Sequence, residues 1–213
     1  SQRRAEELWN SLERLVKVCE EEQVDLLLIA GDLFHRQPLL RELKEVDYLF
    51  SQLTHTKIVF IAGNHDYLKP SSYYLTYQWK SQVYPLLEQT MGFVEFEELG
   101  TSVYGFSYGQ KEIREALYTD AFPQKKQPVE ILIAHGGDEK HIPIQRNNIM
   151  NLGYDYVALG HIHRPMENEK NHIYYSGSLE PTDKNDVGKH GYILGEIRGK
   201  SVETAFVPFA SRE

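Results

Sequence analysis

Two segments of the chain carry apolar residues at helical spacing. Apolar positions in residues 3–22 recur every three or four residues with charged residues between them, and the pattern returns in residues 39–53. This spacing places the apolar side chains on one face of an α-helix. We therefore predict two amphipathic helices, with inward positions Leu8, Leu12, Leu15, Val16 and Cys19 in the first and Leu39, Leu43, Val46, Leu49 and Phe50 in the second.

Four other segments are continuously apolar before they turn polar: "VDLLLIAGD", "KIVFIAGN", "VEILIAHGG" and "YDYVALGHIHRP". Runs of this kind are typical of strands buried on both faces. Shorter strands are predicted in "FVEFEEL", "TSVYGFSY", "HIYYSGSL", "GYILGEIRG" and "SVETAFVPF", and short helices in "KEIREALY" and "IQRNNIMNLG". Strand and helix alternate first and strands dominate later, which predicts one α/β domain over residues 1–213, built from two packed sheets flanked by helices.

Composition is that of a globular protein. The chain has 213 residues, of which 41% are hydrophobic and 25% are charged. No apolar run approaches the ~20 residues that a membrane helix needs, and the first ten residues do not read as a signal peptide. The single cysteine, Cys19, cannot form an internal disulfide, which favours a reducing, cytoplasmic location.

Charge limits the range of partners. The chain has 23 basic and 31 acidic residues, for a net charge of −8. Such a balance argues against a broad basic surface for nucleic acid. It does not exclude nucleic-acid chemistry, because bound divalent cations would add local positive charge that the residue count omits.

The four buried strands end in nearly the same way. Each runs apolar residues into a small residue and then into a polar one, namely Asp32, Asn64, His135 and His161. The carboxyl ends of parallel strands converge on one crevice of an α/β sheet. We therefore expect these four side chains to meet, although they lie far apart in the sequence.

The residue types indicate a metal site. Two imidazoles, a carboxylate and an amide oxygen suit Mn²⁺, Fe, Co or Zn²⁺ in a catalytic role, and no thiolate is present to build a structural zinc site. His163 follows His161 by two residues, so both rings would point to the same side of an extended segment. They could serve two adjacent metals bridged by Asp32, an arrangement used to attack phosphoesters.

Each of these signals has a simpler interpretation when taken alone. A single His at a strand end is more often a hydrogen-bonded structural residue, and a lone "GD" or "GN" is usually a turn. Four matching strand ends in one chain favour the metal site. His141, by contrast, is predicted to be a solvated loop residue, and the aromatic residues that follow Asp66 are predicted to pack over the sheet edge.

The motifs "GDLFH", "GNHD", "AHGG" and "GHIH", in this order, resemble those of the calcineurin-like metallophosphoesterases. The runs "GDLFHRQP", "YDYVALGHIHRP" and "YYSGSLEP" resemble the SbcD-type DNA repair nucleases of that superfamily. The resemblance implies a four-layer α/β/β/α sandwich of two mixed sheets. It also implies a DNA exo- or endonuclease subunit that works with an SbcC-type ATPase and admits a homodimer.

The same resemblance assigns roles to individual residues. Asp32 would bridge two divalent ions, most readily Mn²⁺, with Fe, Co, Zn or Mg as alternatives. Asn64, His135 and His161 would complete one ion, and His163 would bind the other. His65 would face the phosphate or the leaving group, Asp66 would orient His65, and His35 would lie near the scissile phosphate. The implied reaction is in-line attack by a metal-bound hydroxide without a covalent enzyme intermediate.

One family motif is absent. The family begins with an Asp-x-His motif on a first strand, and no such triplet occurs in this sequence. We therefore expect a truncated domain that lacks this strand, so that the ion shared by Asp32 and His163 has an incomplete ligand set. A C-terminal capping domain is likewise not expected within these residues.

Three functions remain open at this point. The first is a metal-dependent DNA nuclease subunit, and the second is a phosphodiesterase or phosphatase acting on nucleotides or proteins, which suits the acidic charge better. The third is a non-catalytic metal-binding module, which would hold one metal per chain.

Overall fold

The computed structural model describes residues 2–161, 166–168, 173–175 and 191–209. Both long helices and all four buried strands predicted from the sequence are present. In chain order the elements are α1 (Gln2–Glu21), β1 (Leu26–Ala30), α2 (Leu40–Phe50), β2 (Lys57–Ile61), β3 (Val83–Pro85), β4 (Gly92–Phe96), β5 (Thr101–Gly105), β6 (Val129–His135), α3 (Arg146–Met150), β7 (Tyr156–Gly160), β8 (Met166–Asn168), β9 (Ile173–Tyr175), β10 (Gly191–Arg198) and β11 (Ser201–Pro208).

The strands form two main sheets and a hairpin. In the first sheet the order is β1-β2-β3 and every pairing is parallel. The second sheet has the order β4-β5-β6-β7-β9-β8 and is mixed, because β4 and β8 pair antiparallel at its two edges. Strands β10 and β11 form an antiparallel hairpin that turns at Gly199 and Lys200.

The alternation of side chains explains the layers. In β2, Val59 and Ile61 face the second sheet, where they pack with Val103, Ile131 and Ile133. Successive residues of a strand point to opposite faces, so the neighbouring side chains of β2 point outward. They pack against α1 and α2 in a core that includes Leu12, Leu15, Val16, Leu43, Val46, Phe50, Ile58 and Phe60.

The outer face of the second sheet is covered by α3 and by loops. Leu132 and Ala134 of β6 point to this side and are fully buried there. Their neighbours in the core include Phe106, Tyr108, Tyr118, Ile149 and Leu152. The α/β class and the sandwich of two sheets flanked by helices are therefore confirmed, with mixed pairing confined to the second sheet among the described residues.

The helix predicted in "KEIREALY" was wrong. Residues 111–118 form bends and turns, and Ile113 pairs instead with the loop after β6. Its backbone N–H donates to Lys140 O, and its carbonyl oxygen accepts from Ile142 N–H. Ile113 and Tyr118 are both buried. The segment has good helix formers, but non-local pairing and burial outweigh the fraction of a kcal/mol per residue that propensity contributes.

The free edge of β1 faces the hairpin across a cavity. Strand β1 pairs with β2 on one side and, among the described residues, with no strand on the other. A cavity of about 920 Å³ separates this edge from β10 and is lined by apolar residues of α1, β1 and β10. Within the described part of the chain, none of the helices is long and apolar enough to cross a membrane.

Candidate metal centre

The ends of β1, β2, β6 and β7 converge as the sequence predicts. His135 Nε2 lies 2.7 Å from Asn64 Oδ1 and 3.4 Å from Asp32 Oδ2, and His161 Nδ1 lies 3.2 Å from the same amide oxygen. One ligand atom from each of Asp32, His135 and His161 falls within 4.8 Å of the others. The fifth predicted ligand, His163, lies outside the described residues.

Glycines next to the candidate ligands allow this convergence. A Cβ on Gly63 would overlap the Asp32 carboxylate, and a Cβ on Gly31 would overlap the His135 ring. The glycines before Asp32 and Asn64 are therefore a packing requirement of the site. They leave room for a side chain that arrives from another strand.

Two of the candidate ligands have unusual backbone angles. Asp32 has φ +55° and His161 has φ +88°, both in the left-handed region that residues with a Cβ rarely occupy. Such conformations cost about 1–3 kcal/mol and persist where the surroundings impose them, often at functional sites. Here they turn the two side chains back toward Asn64 and His135 at the point where each strand ends.

Each imidazole has oxygen atoms opposite both of its ring nitrogens. His135 Nδ1 lies 2.7 Å from the Ala30 carbonyl and Nε2 lies 2.7 Å from Asn64 Oδ1. His161 has Asn64 Oδ1 at Nδ1 and the Asp138 carboxylate at Nε2. A neutral imidazole carries one N–H, so the second nitrogen would set its lone pair against an oxygen unless a proton or a cation lay between. This donor set fits a divalent cation.

Asp32 and the two imidazoles affect one another's pKa. Burial opposes ionisation of Asp32, but the charge of His135 and the hydrogen bonds from His135 and from His65 N–H outweigh it and lower the pKa of the carboxyl. Burial also opposes the charge on His135, yet the nearby Asp32 carboxylate raises its pKa. Burial lowers the pKa of His161. The centre is thus a desolvated anion with two imidazoles directed at it.

Asp66 has a different role from the one expected. Its fully buried carboxylate accepts hydrogen bonds from the backbone N–H of Gly63 (2.7 Å), Asp32 (3.2 Å) and Phe34 (3.4 Å) and from the Tyr74 hydroxyl (2.7 Å). The His65 ring is not among these partners, so the expected orienting contact is corrected. Asp66 instead ties the turn after β1 to the turn after β2. Burial and the charge of Asp32 raise its pKa.

His65 and His35 lie together at the rim of the site. His65 N–H donates to Asp32 Oδ1 over 2.9 Å, which anchors its backbone, and its side chain is half-buried. The His35 side chain is exposed, and its ring lies edge-on to that of His65 with centroids 6.0 Å apart. The two rings thus lie beside each other, next to the turn that carries Asp32.

Further residues complete the surroundings. One of them is His141, which was predicted to be a solvated loop residue; its side chain is 16% exposed and contacts Asp138 over 2.7 Å, so that prediction was wrong. His135 N–H donates to the Tyr118 hydroxyl over 3.0 Å, and the Tyr108 hydroxyl donates to His135 O over 2.6 Å. Asp138 and His141 lie in the loop after β6 and contact His161. The signal for these two was the motif "HGGDEKH", which places a carboxylate and an imidazole three and six residues beyond His135.

Comparison with known proteins agrees with this geometry. A family model described as calcineurin-like phosphoesterase matches residues 5–165. The "Uncharacterized metallophosphoesterase YhaO" of Bacillus subtilis is 26% identical over 94% of this chain and 52% of its own length. The "DNA double-strand break repair protein Mre11" of Methanopyrus kandleri is 29% identical over 96% of this chain and 52% of its own length.

The chain thus spans about half the length of these two curated relatives. The family model covers most of the chain, including β1, β2, β6 and β7 and all four candidate ligands that meet in the structure. The predicted superfamily is confirmed. The chain belongs to the calcineurin-like phosphoesterase family.

Proposed function

We propose that this chain is the catalytic core of a metal-dependent phosphodiesterase that cleaves DNA. The observation that carries the proposal is the meeting of Asp32, Asn64, His135 and His161, with the outer nitrogen of each imidazole held by an oxygen acceptor. These residues would hold one divalent ion, most readily Mn²⁺. Asp32 and His163 would contribute to a second.

The metals, when bound, supply Lewis acidity toward the phosphate and activate water for attack. The protein's own part is to hold the ligands rigidly and to bind the phosphate. Asp66 fixes the two turns that present Asp32 and Asn64, so the ligand geometry does not depend on the ions alone. His65, anchored to Asp32 through its backbone, would donate a proton or a hydrogen bond to the phosphate or the leaving oxygen.

His35 supports DNA as the substrate. Its ring is exposed beside His65 and not packed in the core. In this position it could contact the part of a diester that extends beyond the reacting phosphate. The Methanopyrus relative named as a DNA double-strand break repair protein points the same way, and so does the resemblance to nucleases that work with an SbcC-type ATPase. The proposed protein works with such an ATPase, forms a homodimer and is located in the cytoplasm.

The test uses the full-length protein with Mn²⁺ on single- and double-stranded DNA and on bis-p-nitrophenyl phosphate. We expect DNA and bis-p-nitrophenyl phosphate both to be cleaved. His65→Gln should lower both rates about 10²- to 10⁴-fold and leave metal binding unchanged, as for the loss of a general acid. His35→Gln should slow DNA cleavage more than cleavage of the small diester. His55→Gln, an exposed histidine paired with Asp25, is the control and should change neither rate.

A second candidate is a phosphodiesterase or phosphatase on nucleotide or protein substrates, which the net charge of −8 favours. Turnover of bis-p-nitrophenyl phosphate or nucleotides without DNA cleavage would favour it over the nuclease. A third is a non-catalytic metal-binding module. That assignment requires one tightly bound metal per chain and no hydrolysis of any of these substrates.

A further inference from the structure

Asp138 bridges two histidines beside the metal centre. Its Oδ1 accepts from His141 Nδ1 over 2.7 Å, and its Oδ2 contacts His161 Nε2 at short range. The His141 and His161 rings lie with their centroids 4.3 Å apart. One carboxylate thus meets the outer nitrogen of a candidate metal ligand and a second imidazole that the proposed function does not use.

This contact decides which nitrogen of His161 carries the proton. A carboxylate accepts but does not donate, so the proton of a neutral His161 is held at Nε2 and the lone pair is left at Nδ1. Nδ1 is the nitrogen that faces Asn64. The same logic applies to a neutral His135 on the other side of the centre, where Ala30 O would hold the proton at Nδ1 and Nε2 faces the same amide.

The loop that carries Asp138 is held in place. Gly137 N–H bonds the carbonyls of His141 and Ile142, and Ile142 N–H bonds Ile113 O over 2.6 Å. The Ile142 side chain is fully buried. Asp138 therefore stands on a tethered turn, although its own side chain is 46% exposed.

We propose that Asp138 is the positioning residue for His161, fixing its tautomer and ring orientation for the metal, and that His141 holds Asp138 in turn. The inference rests on the metal site proposed above. Removing a carboxylate that holds a metal-binding histidine in this way typically weakens metal affinity about 10- to 100-fold. It explains why a carboxylate and an imidazole follow His135 so closely in the sequence.

The first test needs no metal. In the metal-free protein, nitrogen–proton correlation NMR of the histidine rings should show neutral His161 with its proton on Nε2. Asp138→Ala should shift that tautomer, whereas Glu139→Gln should not. Glu139→Gln is a matched control because this substitution removes the same charge from the next position, where the side chain is 91% exposed. A wild-type His161 protonated on Nδ1 would overturn the inference and leave the proposed function intact.

The second test measures Mn²⁺ and Co²⁺ affinity in the full-length protein by competition with a chelator, and metal content by elemental analysis. Asp138→Ala should weaken one metal about 10- to 100-fold. Asp138→Asn, which keeps an acceptor oxygen, should restore part of the loss, and His141→Gln should have a smaller effect. Thermal unfolding without metal checks that the variants fold.

Two results would contradict the inference. Asp138→Ala could bind metal within two-fold of the wild type, so that His161 needs no help from Asp138. Alternatively, Asp138→Ala could lose one metal ion beyond those of the proposed centre, while the ions of that centre bind as in the wild type. Asp138, His141 and His161 would then form a cation site of their own, since their ligand atoms also lie within 4.8 Å of one another. A wild type that binds no metal would overturn the proposed function as well.

Discussion

The Tyr74 hydroxyl donates a 2.7 Å hydrogen bond to the carboxylate of Asp66, and both side chains are buried. Among the described residues, Tyr74 is the only side chain that donates to that carboxylate; the other donors are backbone N–H groups of the turns that present Asp32 and Asn64. A tyrosine next to the centre in sequence thus supports the ligands without contacting them.

Removing that hydroxyl should weaken the fold and the site together. Tyr74→Phe leaves one lone pair of a buried carboxylate unsatisfied, which costs about 1–3 kcal/mol of unfolding free energy. We expect urea denaturation to show this loss and metal affinity to fall modestly, because the two turns are held less firmly. Tyr73→Phe is the control, since its side chain is 45% exposed. Equal stability of the two variants would contradict the bracing role of Asp66.

The packing of Gly63 makes a second prediction. A methyl group there would overlap Asp32 Oδ1 and approach the His135 ring at 2.8 Å. Gly63→Ala should therefore displace the carboxylate and weaken metal binding at least ~10-fold, with an overpacking cost of about 1–3 kcal/mol. In Gly92→Ala the nearest atom to the new methyl lies 3.8 Å away, so this control should bind metal normally. Unchanged metal affinity in Gly63→Ala would show that Asp32 is not a ligand.

The four candidate ligands could be predicted from the sequence because each depends on a local pattern, an apolar strand that ends in a small residue. The topology of an α/β sheet then brings the strand ends together. The motif "HGGDEKH" places Asp138 and His141 near His135, but their contacts with His161 could not be predicted, since these depend on how the loop after β6 closes against Ile113. The partner of Asp66 was misjudged for a related reason. The family resemblance suggested His65, but the buried carboxylate is satisfied by the Tyr74 hydroxyl and by backbone N–H groups that only the folded turns present.

Asp47, away from the metal centre, is expected to make the stability of the fold depend on pH. Its buried carboxylate accepts from Tyr77 OH, Lys80 N–H, and the N–H and hydroxyl of Ser81, so it joins α2 to residues 77–81. Burial opposes its charge, but these donors outweigh burial and lower its pKa. A carboxyl with a lowered folded-state pKa stabilises the fold above its unfolded pKa, near 4, and that contribution is lost as the pH falls.

We therefore expect Asp47→Ala to lower the free energy of unfolding by about 2–4 kcal/mol at pH 7, because several buried donors lose their acceptor. The difference from the wild type should shrink between about pH 5 and pH 3. Denaturant melts at several pH values, with exposed Glu139→Gln as the charge control, measure it. A difference that stays constant across this range would assign the loss to packing alone.

The cavity beside β1 carries the last prediction. On one side β1 has no partner strand among the described residues, and such an edge, with its unpaired N–H and C=O groups, is a template for another strand. Here β1 is that edge, β10 is the opposite wall, and the space of about 920 Å³ between them is lined by residues such as Leu12, Leu28 and Ile193. We expect a strand bearing the Asp-x-His motif to add at this edge, which would bring the motif toward Asp32.

We expect a chain that includes such a strand upstream of residue 1 to be more stable by at least about 2 kcal/mol, the gain from burying one or two large apolar side chains. It should also bind a second metal. The matched control keeps the strand and changes its motif to Asn-x-Gln. That variant should keep the added stability and lose the second metal, which separates filling the cavity from completing the site. Equal unfolding free energies with and without the strand would mean that it packs elsewhere, and the ligand set of the second ion would then have to come from another part of the protein.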